Sequence, residues 1–211
     1  MFLKALISPR LPAAFKYTLD DGLPVLVRPV RKEDAPRLRE GFRKLSQLAR
    51  RRRFLEGVDD LSDDQLAQLL ALDQVNHVAW GAMNLEKPDE PGVGIARYVR
   101  LKDDPQAADV AITIADDYQG RGTGFVLQAC LHITAHNAGI KTFFYDVLSD
   151  NDRIIKHLKL MGALHAGRAD NIDRLQMPVY GRAWDVPASN DIAKRFAEVF
   201  KRLQSVEALA A

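Results

Sequence analysis

Residues 23–30 read LPVLVRPV, a branched apolar run behind the turn-like Asp20-Asp21-Gly22, and this predicts a first strand. A helical repeat follows. Leu38, Phe42 and Leu45 stand at i, i+4 and i+7, with Asp34 placed to cap the helix and Pro36 suited to its first turn. Ser62 and Gln65 have the spacing of a capping box, and Leu66, Leu69 and Leu70 supply the stripe of a second helix. The pattern then turns to strands at residues 77–83, 93–101 and 108–115. Separators such as Lys87-Pro88-Asp89-Glu90-Pro91-Gly92 suit an antiparallel meander. Helical spacing returns over residues 123–137, closed by Gly139, and residues 141–148 predict another strand. Asn151 is a good N-cap for a helix ending at Gly162, and residues 163–168 and 173–179 predict a closing hairpin. From residue 189 to about 209, Ile192, Phe196, Val199 and Leu203 share one face of a last helix, with Lys and Arg on the other. That face either packs on the domain's flank or forms an oligomer contact.

The order β-α-α-β-β-β-α-β-α-β-β implies an α/β (α+β) fold: one mixed, mostly antiparallel sheet flanked by helices. The expected division is a lead over residues 1–22, the domain over 23–185 and a helical tail over 186–211. With 47% hydrophobic and 27% charged residues in a chain of 211, the composition is that of a globule with a real core. Thirty Lys and Arg against 28 Asp and Glu leave +2, so there is no global field for nucleic acid. The one cysteine, Cys130, makes neither an internal disulfide nor a cysteine zinc cage, and a reducing compartment is the natural reading. The N-terminal apolar patch is too short for a signal peptide, and no run approaches the ~18 apolar residues of a membrane helix. A cytoplasmic protein is expected.

Tyr118-Gln119-Gly120-Arg121-Gly122-Thr123-Gly124 joins a strand to a helix. Glycines at alternate positions let backbone approach a ligand, and the helix behind aims its dipole and unpaired N–H groups at the same point. A pyrophosphate suits that geometry. A Walker loop would need Gly-Lys-Ser/Thr, and a dinucleotide fingerprint would need G-x-G-x-x-G, so neither fits.

These residues carry a resemblance to the GNAT superfamily of acetyl-coenzyme A-dependent N-acetyltransferases, whose signature is Gln/Arg-x-x-Gly-x-Gly/Ala between strand and helix. Gln119 to Gly124 fit it in full. Leu148-Ser149-Asp150-Asn151, with Gly162 eleven residues on, matches the second motif except that Ala163 replaces an aromatic. The element order agrees from residue 23 to about 179. The chain is most similar to the acetyltransferase domain of bacterial Pat-type protein-lysine acetyltransferases. Val27-Arg28-Pro29-Val30-Arg31-Lys32-Glu33-Asp34 looks like that group's opening, Leu45-Ser46 and Arg53-Phe54 like its first helix and loop, and Ala108-Asp109-Val110-Ala111 like its Ala-Glu-Val-Ala strand. Only about twenty residues precede the first strand, so regulation by a fused sensor is not carried over.

The resemblance implies a GNAT fold and acetyl-CoA as donor. The backbone of Ile112, Thr113 and Ile114 would pair with the pantetheine arm, Gln119, Gly120, Arg121, Gly122, Thr123 and Gly124 would hold the pyrophosphate, and a strand N–H would polarise the thioester. Asp109 stands where Pat-type domains carry their glutamate base. The other reading of Asp109 is a solvated acid, or one paired with Arg97 or Arg100. Many GNAT enzymes place a Tyr general acid seven residues after the motif's Asn; here that residue is Leu158, leaving water or unassisted departure for the thiolate. His157 is adjacent but turned about 100° away on a helix, and Tyr145 and Tyr180 read as packing residues.

Asn151 caps its helix, contacts the cofactor, or does both. Arg153 and Lys156 reach the adenosine 3′-phosphate or are simply solvated. Arg50-Arg51-Arg52-Arg53 is a solvated helix end, or lies near an acidic acceptor or the cofactor's phosphates. The five His show no metal spacing, so no metal is expected. Acetyl transfer to a protein lysine leads; a small-molecule amine acceptor, and a non-catalytic acyl-CoA sensor or interaction module, are the alternatives. The acceptor pocket is expected from loops around residues 46–62 and 163–185.

Overall fold

The computed structural model describes residues 10–55 and 59–206. The apolar N-terminal patch at residues 1–9, part of the expected acceptor loop (56–58) and the expected helix end near Leu209 lie outside them. The strands are β1 (Phe15–Thr18), β2 (Pro24–Pro29), β3 (His77–Asn84), β4 (Gly94–Arg100), β5 (Ala107–Ile114), β6 (Thr142–Leu148), β7 (Leu164–Ala169) and β8 (Ile172–Pro178). The helices are α1 (Ala35–Lys44), α2 (Gln47–Phe54), α3 (Asp63–Leu69), α4 (Thr123–Asn137), α5 (Asp152–Leu160) and α6 (Asp191–Leu203). All eight strands form one sheet in the order β1-β2-β3-β4-β5-β6-β8-β7. Every pairing is antiparallel except β5 with β6.

Each sheet face covers its own core. On one face α4 lies across β3, β4 and β5 and is itself backed by α6. Val25, Val27, Val78, Trp80, Ala96 and Tyr98 are buried there with Leu127 and Leu131 of α4. The other face carries α1 to α3, whose Phe42, Leu45, Leu66 and Leu70 bury Val30 and Ala79. Strand alternation makes this possible, because successive side chains enter opposite cores.

Two elements had no counterpart in the sequence pattern. β1 is four residues long and pairs Phe15 to Thr18 with β2 inside the expected lead. α2 takes up about half of the loop expected over residues 46–62. Its sequence QLARRRRF has no apolar stripe, and the helix is held by Ser46 Oγ accepting from Ala49 N–H and by an Arg51–Asp150 ion pair at 2.9 Å. The capping box of α3 forms as expected, with Ser62 and Gln65 bonding reciprocally. Phe196, Val199 and Leu203 of α6 are buried on the domain, so the apolar face of that helix is spent within the chain.

Candidate active site

A slot opens where β5 and β6 part. Their pairing is limited to Ala107↔Thr142, Ala108↔Phe143 and Asp109↔Phe144, although β5 runs on to Ile114 and β6 to Leu148. Beyond Asp109, β5 is bonded to β4 alone, and the register of that ladder decides which groups are left over. Leu101 N–H donates to Ala107 O and Ala115 N–H to Val93 O. In an alternating antiparallel ladder, odd-numbered residues of β5 therefore spend their main-chain groups on β4, and even-numbered ones face away. Val110, Ile112 and Ile114 turn N–H and C=O toward the open side, where the Ile114 carbonyl accepts from Gln119 Nε2 at 3.4 Å. The main chain of Thr113 is committed to its β4 partner Ile95. Its buried hydroxyl, on the α1–α3 face, has no partner among the described residues.

At the end of β5 a 3-10 turn (Asp116–Tyr118) delivers the chain into the glycine loop and α4. Gly120 and Gly122 take φ of 80° and 91°, the left-handed region where a side chain is strained. Among the described residues, the N–H groups of Gly120, Arg121, Gly122, Thr123 and Gly124 have no protein acceptor. Five free donors at a helix N-terminus form a concavity suited to an anion. Gln119 Nε2 donates to Asp116 Oδ1 at 3.1 Å, Arg121 is paired with Asp21 at 2.9 Å, and Thr123 Oγ1 is buried without a partner.

Asn151 stands on the far lip of the slot, between β6 and α5. It occupies the N-cap position of α5, but its side chain makes no capping bond; at φ −95° and ψ 54° the backbone is not in the extended conformation that aims a capping oxygen. Only 6% exposed, it leaves Oδ1 without a partner. Arg153 and Lys156 are exposed on α5.

Asp109 is the last residue of β5 still paired to β6, and its odd position turns it to the α1–α3 face. It is 47% exposed and pairs with neither Arg97 nor Arg100: Arg174 of β8 donates to Asp109 Oδ1 at 2.7 Å. The other arm of Arg174 holds both oxygens of Asp146, at 2.9 and 2.8 Å, and the guanidinium lies 4.5 Å from the centre of the Phe144 ring. Arg174 thus ties together three neighbouring strands at the mouth of the slot. Nothing local in the sequence marks it, since it is 65 residues from Asp109.

Leu158 is buried. His157 lies 5.0 Å from the Phe125 ring, and burial, with Arg153 and Arg195 nearby, lowers its pKa. Tyr145 accepts from Gln128 and Tyr180 donates to the Met161 carbonyl, each at 3.0 Å in the core. Cys130 is fully buried, which pushes its thiol up.

On the face that carries Asp109, a largely apolar cavity separates α1–α3 from β2–β5. It holds about 950 Å³ counting its open mouth, with Leu38, Phe42, Phe54, Met83 and Ile95 in its walls. Arg28 is paired there with Asp34 at 2.6 Å; Arg53 and Arg97 also line the cavity. The four-arginine run therefore divides. Arg50 bonds the Asp59 carbonyl, Arg51 meets Asp150, Arg52 is exposed and Arg53 turns inward.

A family model described as an acetyltransferase (GNAT) domain matches residues 25–163. The chain is 38% identical over 141 residues to Acetyltransferase PA5475 of Pseudomonas aeruginosa, covering 67% of this chain and 75% of that one. It is 33% identical over 138 residues to Acetyltransferase Pat of Mycolicibacterium smegmatis, covering 65% of this chain but 40% of that protein's length. Among solved structures, the GNAT domain of S. lividans PAT is similar with a TM-score of 0.72 at 26% identity, over 80% of this chain and 99% of that one.

Proposed function

This chain belongs to the acetyltransferase (GNAT) family, and on that premise we propose that it moves an acetyl group from acetyl-CoA to the side-chain amine of a protein lysine. The parted strands β5 and β6, with five free N–H groups at the end of their slot, carry the reading. Ile112 and Ile114 offer the pantetheine arm a strand edge, and main-chain bonds of this kind need no particular side chain. The N–H groups of residues 120–124 receive the pyrophosphate, and the unpartnered oxygens of Thr123 and Asn151 flank the same slot. An even-numbered N–H of β5 polarises the thioester carbonyl, a donor whose loss costs about 3 kcal/mol of barrier in comparable sites.

The acceptor amine arrives protonated, with an ordinary pKa of about 10.4, and must lose a proton before it attacks. Asp109, oriented by Arg174 at the mouth, takes that proton directly or through one water. Asp is a methylene shorter than Glu, which favours the water. No phenol serves the departing thiolate, because Leu158 fills the position; water protonates it, or it leaves as the anion. The lysine preference is supported by the Pat-like segments 27–34 and 108–111 and by the likeness to Pat. The unpaired, buried Cys130 supports a cytoplasmic location. Among the described residues no helix is long and apolar enough to cross a membrane.

The test is acetyl transfer to a panel of proteins and small amines. Asp109→Ala is expected to lose about 10²- to 10⁴-fold in kcat/KM with acetyl-CoA binding kept. Wild-type rates at pH 7 to 8 in that variant would remove Asp109 as the base. Turnover confined to polyamines or aminoglycosides would overturn the lysine assignment.

A further inference from the structure

The cavity on the sheet face that carries Asp109 contains cationic groups that the reaction as described does not use. Arg97 projects from β4, opposite Ala111 of β5, and Arg53 comes from the last turn of α2; both line the cavity. Among the described residues, no carboxylate pairs with either. The contrast is local: Arg28 on the same wall is bound to Asp34 at 2.6 Å, and Arg51, two residues before Arg53, to Asp150 at 2.9 Å. Burial lowers the pKa of both Arg53 and Arg97 to about 10, and for Arg97 the neighbouring charge of Arg53 adds to the effect. Two like charges thus face one apolar space without a counter-ion, an arrangement that an anion would relieve.

Two further polar groups, His77 and Thr113, fit the same occupant. His77 Nδ1 lies 2.8 Å from the Ala71 carbonyl and must donate to it, so Nε2 carries the lone pair that meets Arg97 Nη2. This contact uses one N–H of the Arg97 fork and leaves others for a ligand. The Thr113 hydroxyl, two residues beyond Ala111 on the same face, is buried and unpartnered. Two guanidinium forks and a hydroxyl are donors in search of acceptors, and a carboxylate offers two oxygens to such forks.

We propose that Arg53 and Arg97 form a carboxylate pocket for the acceptor, so that the amine acetylated at Asp109 belongs to a molecule or segment carrying a carboxylate that docks between them. This rests on the transferase reading above. The acceptor is its natural source because the pocket lies on the Asp109 face of the sheet. The donor's arm is expected along the main-chain edge of β5, within the plane of the sheet.

Matched acceptors test it: Nα-acetyl-lysine against its amide, and lysine peptides flanked by Glu against the same peptides flanked by Gln. In the wild type, kcat/KM is expected to favour the carboxylate member of at least one pair by tenfold or more. Arg97→Gln and Arg53→Gln are each expected to bring that ratio near one through KM for the acid. Each variant should melt no lower than the wild type, since it removes an uncompensated charge; a purely structural arginine would lower the melting temperature.

A binding arm separates the two readings. With CoA present, millimolar Nα-acetyl-lysine should raise the melting temperature of the wild type but not of Arg97→Gln, and its amide should raise neither. That pattern with no transfer to any amine would remove the transferase reading and leave the pocket. Equal transfer to acid and amide in both pairs would overturn the pocket and leave the transferase. Preference for succinyl-CoA over acetyl-CoA that Arg97→Gln abolishes would assign the carboxylate to the donor, and so overturn the acceptor assignment.

Discussion

Asp109 and Arg174 are 65 residues apart in the chain and 2.7 Å apart in the fold. A motif marks the Asp, whereas its partner depends on β8 lying beside β6. Glycines are more local. Gly120 and Gly122 share a left-handed backbone, but a Cβ at Gly120 meets open space, whereas one at Gly122 would strike the Asp20 carboxylate, itself in contact with Arg195 of α6. Gly120→Ala is therefore expected to cost about 1–2 kcal/mol, the penalty of the left-handed conformation alone. Gly122→Ala should cost more, as urea melts of the two variants would compare. His132 gives a pH prediction. It is fully buried among Phe143, Tyr180, Phe196 and Phe200, its Nδ1 accepts from Tyr180 N–H at 3.0 Å, and burial lowers its pKa to about 3. Between that value and the unfolded 6.5, the unfolded chain binds the extra proton. His132 is thus stabilising above 6.5, and stability falls by about 1.4 kcal/mol per unit as pH drops below it. His132→Gln, which keeps an acceptor for Tyr180, should flatten stability against pH over that window.

At the scale of the element, the register of β5 makes a prediction that residue identity does not. Ile112 N–H faces the open slot and Thr113 N–H is spent on β4. Proline removes a donor and survives only where the ladder does not need it. Ile112→Pro should keep a folded protein, by circular dichroism and melting, while weakening CoA binding. Thr113→Pro should lower the melting temperature itself. Most elements were readable from periodicity because each buries one face: α4 spans Thr123–Asn137 as the pattern predicts, and β3 to β6 lie within a residue or two of expectation. β1 was too short for its Phe15 and Tyr17 alternation to stand out. α2 has no apolar stripe to detect, because its arginines are placed by groups from distant segments, Asp59 and Asp150.

Across the whole molecule the two cores are unequal, and the larger one includes the last helix. Phe196 and Phe200 are fully buried against α4 and its aromatic neighbours. Alanine at either should cost about 3–5 kcal/mol, with one cooperative transition in denaturant; a separate early transition would mark α6 as an appendage. The interior accordingly holds this helix as it holds the sheet. By itself the sequence determined what is local and periodic: the strands and helices, the glycine loop that only left-handed glycines can form, and the family its motifs match. Tertiary structure alone decided which β5 groups stay unpaired, that Asp109 answers to Arg174, that Asn151 does not cap its helix, and that Arg53 and Arg97 share a cavity without a counter-ion. Periodicity and turn chemistry act over a few residues. Hydrogen-bond register and charge pairing depend on which strands and helices become neighbours, and here those neighbours lie tens of residues apart along the chain.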